Sequence, residues 1–186
     1  MKSKRQGYDS IQSLILAEAA RLFARRGVHA SSLNDIAAAA KLAKGTLYYY
    51  YPAKEEIVAD VARAQGDWVS DALLDWAEGL SRESDPAEAL YALVSALADD
   101  PFHRRLQGVL LAESSLDDPA LGELMQTLLE EWALTLEVGA LKLGAAPARR
   151  IRDRAACFFP LLLGYLLKNE LTAQDKREFV EIFLGL

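Results

Sequence analysis

Between Ser32 and Glu56 the chain concentrates side chains suited to gripping a polyanion. It reads Ser-Leu-Asn-Asp-Ile-Ala and, a few residues on, Ala-Lys-Gly-Thr-Leu-Tyr-Tyr-Tyr-Tyr-Pro-Ala-Lys-Glu-Glu. Lys41, Lys44 and Lys54 supply cations, and Tyr48 and Tyr49 supply hydroxyls for phosphates or bases. Gly45 and Thr46 leave room for close approach to base edges, with the thymine methyl as a contact for Thr46. Ser32, at the entry to this stretch, is assigned to the same surface. The free amides around Lys54, at a helix start, add an anion site by charge and dipole together. Charge is distributed to match. Residues 1–54 carry nine Lys and Arg against three Asp and Glu, a net of +6, whereas residues 55–186 carry twelve against twenty-four, a net of −12. A basic head on an acidic body implies contact with polyanion at one end only.

Catalytic chemistry finds little support. His29 and His103 are remote in sequence from Cys157, the single cysteine, and no metal-ligand cluster or glycine-rich phosphate loop appears. An enzyme is therefore not expected, nor a cofactor. Cys157, between Ala156 and Phe158, reads as a small buried hydrophobe. No charged-then-apolar leader opens the chain. The longest apolar run, Ala155 to Leu167, is thirteen residues, well short of the roughly twenty that span a bilayer. A soluble, cytoplasmic protein without membrane contact is expected.

The elements that must position these residues are nearly all helical, because Ala, Leu, Glu and Arg dominate without strand-like alternation. The first helix is predicted from about Asp9 to Arg26, with Ile11, Leu14, Ile15, Ala19, Leu22 and Phe23 on one face. Gly27 is placed to end it in a left-handed conformation. Ser32 caps the second, with Asp35 at capping-box spacing, and Leu33, Ile36, Ala37 and Ala40 point inward. The third runs from about Lys44 to Tyr49, with Leu47 as buried anchor and Tyr51 as core. The fourth, from Lys54 to about Glu78, carries Ile57, Val58, Val61, Ala64, Trp68, Ala72 and Leu73 at helical spacing and connects head to body. Asp85-Pro86, Asp100-Pro101, Asp118-Pro119 and Ala146-Pro147 mark further entries. They divide the body into helices near 86–98, 102–114, 119–143, 147–169 and 173–184, with a kink at Pro160. The fold class is all-α, about nine helices. Two short helices joined by a tight turn and braced by a longer one describe a helix-turn-helix in residues 1–53. Residues 54–186 then form a helical domain for ligand binding and dimerisation. Lys2, Lys4 and Arg5 form a basic tail that either stays solvated or reaches a groove, and Arg25 and Arg26 face solvent.

Ile15, Ala19 or Ala20, Phe23, Gly27, Ser32, Asp35-Ile36-Ala37, Gly45-Thr46-Leu47-Tyr48, Tyr50, Lys54 and Glu56 follow an order and spacing that resembles the TetR (TetR/AcrR) family of transcriptional regulators. The match covers about residues 11–60. The resemblance implies a homodimer whose two heads read adjacent major grooves of a pseudo-palindromic operator. It also implies repression relieved by a small molecule. Four positions depart from the family pattern. Lys41 stands where Gly is usual, so a side chain must sit in a left-handed conformation at about 1 kcal/mol. Ala43 and Ala53 replace a frequent Ser and remove two side-chain caps, and Tyr51 stands where Phe is commonest.

The body's apolar surplus implies a cavity or a large interface. Trp68, Trp76, Tyr91, Phe102, Leu106, Leu110, Trp132 and Leu136 are the ligand-pocket candidates, and His103, Arg104 and Arg105 could pair with an anionic ligand. The resemblance places a four-helix dimer interface on the last two long helices, where Phe158, Phe159, Leu162, Tyr165, Leu166, Phe179, Ile182 and Phe183 have the bulk for it. The reading is thus a DNA-binding transcriptional regulator, a repressor released by an apolar or amphipathic ligand. Its competitors are a ligand-binding helical module without DNA binding, which the +6 head argues against, and an activator.

Overall fold

A computed structural model describes residues 2–114, 118–144, 146–166, 168 and 170–186, with the backbone alone at 2–8. The side chains of Lys2, Lys4 and Arg5, the expected basic tail, lie outside the described residues. Ten helices and no strand occur among them: α1 Lys2–Arg26, α2 Leu33–Ala39, α3 Lys44–Tyr50, α4 Lys54–Glu78, α5 Pro86–Ala98, α6 Pro101–Ser114, α7 Pro119–Ala140, α8 Ala148–Asp153, α9 Ala155–Leu166 and α10 Ala173–Leu184. The all-α expectation holds, and the punctuation was legible. Asp85 and Asp118 cap α5 and α7 with Pro in the first turn. Gly27 (φ 86°) and Lys41 (φ 56°) are both left-handed.

Five expectations need correction. Helix α1 begins at Lys2, not Asp9, because Lys, Arg and Gln extend a nucleated helix at little cost. Leu14 is exposed while Ile15, Ala19 and Phe23 are buried, since it lies about 100° around the helix from Ile15. Ala64 is likewise exposed, and Gln65 and Gly66 occupy the inward positions. The segment expected at 147–169 is two helices, so there are ten. Its break falls at Arg154 (φ −118°, ψ 7°), and Pro160 lies within α9. The break lets two arginines cap the C-terminal carbonyls of α10. Arg154 donates to the Phe183 carbonyl at 2.6 Å, and Arg150 donates to those of Leu184 and Gly185. It also turns Cys157 outward, so the cysteine is exposed and not a core residue.

Two apolar cores share α4. Ile57, Val58 and Val61 join Ile15, Phe23, Ile36, Leu47 and Tyr51 beneath the head, together with Leu106 and Leu110 of α6 and Leu121 and Met125 of α7. Val69, Leu73 and Trp76 join α5, α7, α8, α9 and α10 in the body. The seven-residue α2 and α3 are too short to persist alone, so the head's core extends well beyond residue 53 to hold them. In the body, α4 and α7 approach closely at two glycines. A Cβ on Gly66 would lie 2.8 Å from the flexible tip of Leu128, but one on Gly139 would lie 2.7 Å from the Trp76 ring and 3.0 Å from the Ala77 Cβ. The Trp76 indole cannot retreat, because its Nε1 donates to the Ala89 carbonyl at 2.8 Å. Gly139→Ala should therefore destabilise the protein by about 1–3 kcal/mol despite the better helix propensity of alanine. Urea unfolding measures this, and an unchanged midpoint would show that the α4–α7 packing is loose.

Candidate nucleic-acid interface and inner cavity

The head presents α3 as its outer helix. Leu47 is fully buried, which leaves Lys44, Gly45, Tyr48 and Tyr49 exposed and Thr46 half-buried. Tyr49 is 76% exposed, and the Lys44 ammonium lies 5.5 Å from the Tyr48 ring centre. No side chain caps α3 or α4, as the alanines at 43 and 53 imply. Their first amides are left for solvent or an anion. Tyr51 is buried, and its hydroxyl accepts from Gln12 Nε2 at 3.0 Å and donates to Asp60 at 2.8 Å. That hydroxyl ties α1 to α4 across the end of α3, a physical use for Tyr over Phe.

Two of the assigned side chains have structural work as well. Ser32 forms a capping box with Asp35. The Ser32 hydroxyl and amide, with Arg26 at 2.9 Å, hold the Asp35 carboxyl at about 2. The box is complete above the ordinary carboxylate value of 3.8 and is lost as pH falls through about 2. Lys54 donates to the Val28 carbonyl at 3.1 Å, so it anchors α4 to the loop after α1.

The body encloses a small apolar cavity of about 20 Å³, the room of one water molecule. Gln65, Trp68 and Val69 of α4, Leu97 of α5, His103 and Gln107 of α6, Trp132 of α7 and Phe159, Leu162, Leu163 and Leu166 of α9 line it. Of the eight ligand candidates, only Trp68 and Trp132 are brought here. Phe102 and Leu106 line a separate, open groove of about 380 Å³ against α1. Leu110 belongs to the head's core and Leu136 to the body's. Trp76 packs on Gly139, and Tyr91 lies under Lys176 and Arg177.

His103 stacks on Trp68, rings parallel within 2° and centres 4.0 Å apart. Its Nδ1 meets Gln65 Oε1 at 2.8 Å, and Gln65 Nε2 donates to the His103 carbonyl at 3.4 Å. Burial lowers the His103 pKa, with the Asp100 carboxylate opposing. Burial therefore favours the neutral ring, which offers an anion no full positive charge. Arg104 reaches back to the Ala98 carbonyl, and Arg105 reaches the Arg25 carbonyl at the end of α1. Sequence reasoning missed Gln65 and Gln107 entirely. The signal was present, since both are polar residues at inward positions of otherwise apolar helical stripes.

The expected dimer contacts need correction. Phe158, Phe159, Leu162, Phe179 and Phe183 are each at most 4% exposed within a single chain, so a partner cannot reach them. The four phenylalanine rings meet at 5.1–6.0 Å, edge to face except for the stacked Phe179 and Phe183, and Phe159 and Leu162 face the cavity. Tyr165 is half-buried with its ring on Phe179. Of the set only Ile182 stands out, 59% exposed, and Leu161 joins it at 50%. The bulky residues of α9 and α10 fill the protomer; the outer faces carry smaller ones.

An outward α3 on a helix-turn-helix, joined by a shared helix to a closely packed helical body, defines a DNA-binding transcriptional regulator. Residues 15–61 match the family model of bacterial regulatory proteins of the tetR family. The chain is 28% identical over 181 residues to the HTH-type transcriptional regulator LmrA of Bacillus subtilis, with 94% of each covered. It is 32% identical over 101 residues to the HTH-type transcriptional repressor KstR2 of Mycolicibacterium smegmatis, covering 54% of this chain and 48% of KstR2. A putative transcriptional regulator from Saccharomonospora viridis, solved in complex with choline, shares the fold at a TM-score of 0.75 and 21% identity, over 95% of this chain and 96% of that one. The match to the family model is confined to the helix-turn-helix, and the named relatives are helix-turn-helix transcriptional regulators. Among the described residues no helix is long and apolar enough to cross a membrane.

The different attachments of the two lysines separate fold from function. Lys54→Ala removes a charged hydrogen bond to Val28 and should lower stability by about 0.5–1.5 kcal/mol as well as weaken DNA binding. Lys44→Ala should leave stability within about 0.5 kcal/mol, as for a surface substitution, and weaken DNA binding alone. Denaturation and gel shift on both variants measure this; a stability loss for Lys44→Ala equal to that of Lys54→Ala would contradict the assignment.

Proposed function

We propose that the protein is a homodimeric repressor whose α3 enters the major groove of a pseudo-palindromic operator. A small apolar or amphipathic molecule entering the inner cavity releases it. The observation that carries the second half is the division of labour on α6. Leu106 and Leu110 belong to the head's core, and Arg105 reaches the end of α1. His103 and Gln107, on the same helix, line the cavity. A ligand that shifts α6 must therefore disturb the head. The choline bound by the Saccharomonospora viridis neighbour supports a small-molecule effector, though the lining here offers no carboxylate to a cation.

For the DNA half, Lys41, Lys44 and Lys54 in two copies, with the amides of α3 and α4, support about six to ten phosphate contacts per dimer. Such a footprint costs about 10³–10⁵ in affinity between about 50 and 200 mM salt. Gly45→Ala provides a sharper test. A Cβ there meets nothing within 4 Å, so folding should be stabilised by about 0.5–1 kcal/mol, while operator affinity falls because the methyl stands where a base edge or phosphate approaches. Thr46 substitution should change operator preference, since base contacts carry sequence information directly. Fluorescence anisotropy over a salt series reads these effects. A flat salt response, or a Gly45→Ala variant that binds as wild type, would remove α3 from the interface.

The dimer is assigned to the outer faces of α9 and α10, around Leu161 and Ile182. Leu161→Asp with Ile182→Asp should sediment as a folded monomer with weakened operator binding, whereas Phe158→Asp should unfold the protomer by burying a charge. A double variant that stays dimeric would move the interface elsewhere.

A further inference from the structure

The polar groups of the inner cavity are unequally satisfied, and on the reading that this cavity is the effector site, that inequality specifies the effector's chemistry. Gln65 is engaged at both ends of its amide, through Oε1 with His103 Nδ1 and through Nε2 with the His103 carbonyl. Gln107 is 5% exposed and lines the same cavity, yet neither its Nε2 nor its Oε1 has a hydrogen-bond partner among the described residues. One buried donor and one buried acceptor therefore stand side by side at the wall. Elsewhere the wall is apolar, with the rings of Trp68, Trp132 and Phe159, and it contains no Asp, Glu, Lys or Arg.

Each class of ligand meets this wall differently. An ion would lose its hydration without gaining a counter-charge. A ligand with acceptors alone leaves the Gln107 oxygen unpaired, and one with donors alone leaves the nitrogen unpaired. A purely apolar ligand leaves both. An adjacent N–H and C=O on one edge, as in a carboxamide, lactam or imide, pairs with both at once. The aromatic walls complete the description, because flat ring systems stack on them.

We propose that the effector is an uncharged, flat ring compound with an amide-like edge, and that Gln107 reads that edge through two parallel hydrogen bonds.

Four nearly isosteric probes test this on the full chain: benzamide, benzamidinium, benzoate and α-methylstyrene. They share a planar phenyl-substituted trigonal carbon and differ in donor, acceptor and charge. Calorimetric titration of the wild-type protein should rank benzamide at least about tenfold above each of the others, the net worth of one to two hydrogen bonds. Gln107→Leu should keep the affinity for α-methylstyrene and abolish the preference for benzamide. Gln107→Glu, acceptor-only when ionised, should turn the preference toward benzamidinium and serves where the leucine variant does not fold. Equal binding of benzamide and α-methylstyrene by the wild type would overturn the assignment while leaving the cavity as a ligand site. So would tightest binding of either ion, or a benzamide preference that survives Gln107→Leu. If none of the four binds, the effector cavity itself fails, and the amide-edge proposal falls with it.

Discussion

Ile57, Val61, Gln65, Val69 and Leu73 follow one another at four-residue spacing along α4, and all are buried. A helix has one such stripe, and this one must serve two cores. Its first half packs under the helix-turn-helix and its second half packs in the body. At 25 residues the helix is about 37 Å long, so head and body cannot turn independently without unpacking one core or the other. Gln65 falls where neither core needs a hydrocarbon. Its amide holds α6 through His103, and the adjacent Gly66 admits the Leu128 side chain of α7. The residue that interrupts the stripe is thus the one that fixes the neighbouring helices.

That junction gives α6 contacts with both the head and the body. The helix touches the head through Leu106, Leu110 and Arg105, and Glu113 lies 3.4 Å from His29 in the loop after α1. It touches the cavity through His103 and Gln107, in contact with α4 on one side and α9 on the other. The sequence pointed to α4 as the connector of head and body because its length was visible. Helix α4 is the common frame, while the opposed faces of α6 connect the two sites. On the proposed reading, coupling needs no long pathway, because a single helix belongs to both. Reciprocity follows: whatever DNA costs the ligand, the ligand costs DNA by the same factor.

The head was legible because its rules are local. A Ser-x-x-Asp cap and a glycine after an apolar stripe can each be read from a few neighbouring residues, whereas the left-handed Lys41 followed only from the resemblance. Tyr51 as core followed from four tyrosines that could not share one face. The body was legible in its punctuation, where Asp-Pro pairs mark helix entries, and illegible in its packing. Phe158 and Phe183 are bulky and apolar whether they meet a partner or their own core. Only the three-dimensional arrangement shows that they meet each other edge to face inside the protomer. The break at Arg154 was hidden for a related reason, since it depends on carbonyls of α10 about thirty residues away. Gln65 and Gln107 were overlooked because the search for a pocket looked for aromatic residues. The polar residues on the same stripes were the more informative signal.

The size of the inner cavity constrains how any effector could act. A space of about 20 Å³ holds one water and no organic molecule, so on the proposed reading the arrangement described here is the one without effector. On that reading ligand entry must separate these helices, and the groove between α1, α4 and α6, which shares Gln65 and His103 with the cavity, is the open surface beside them. Opening there breaks the Gln65–His103 pair and moves α6 against the head. A molecule that fits only the opened cavity therefore has the differential affinity that a release mechanism requires. A body with a large preformed pocket would lack it, because a ligand that binds both states equally shifts neither. The tight packing around Gln107 is in this sense part of the switch.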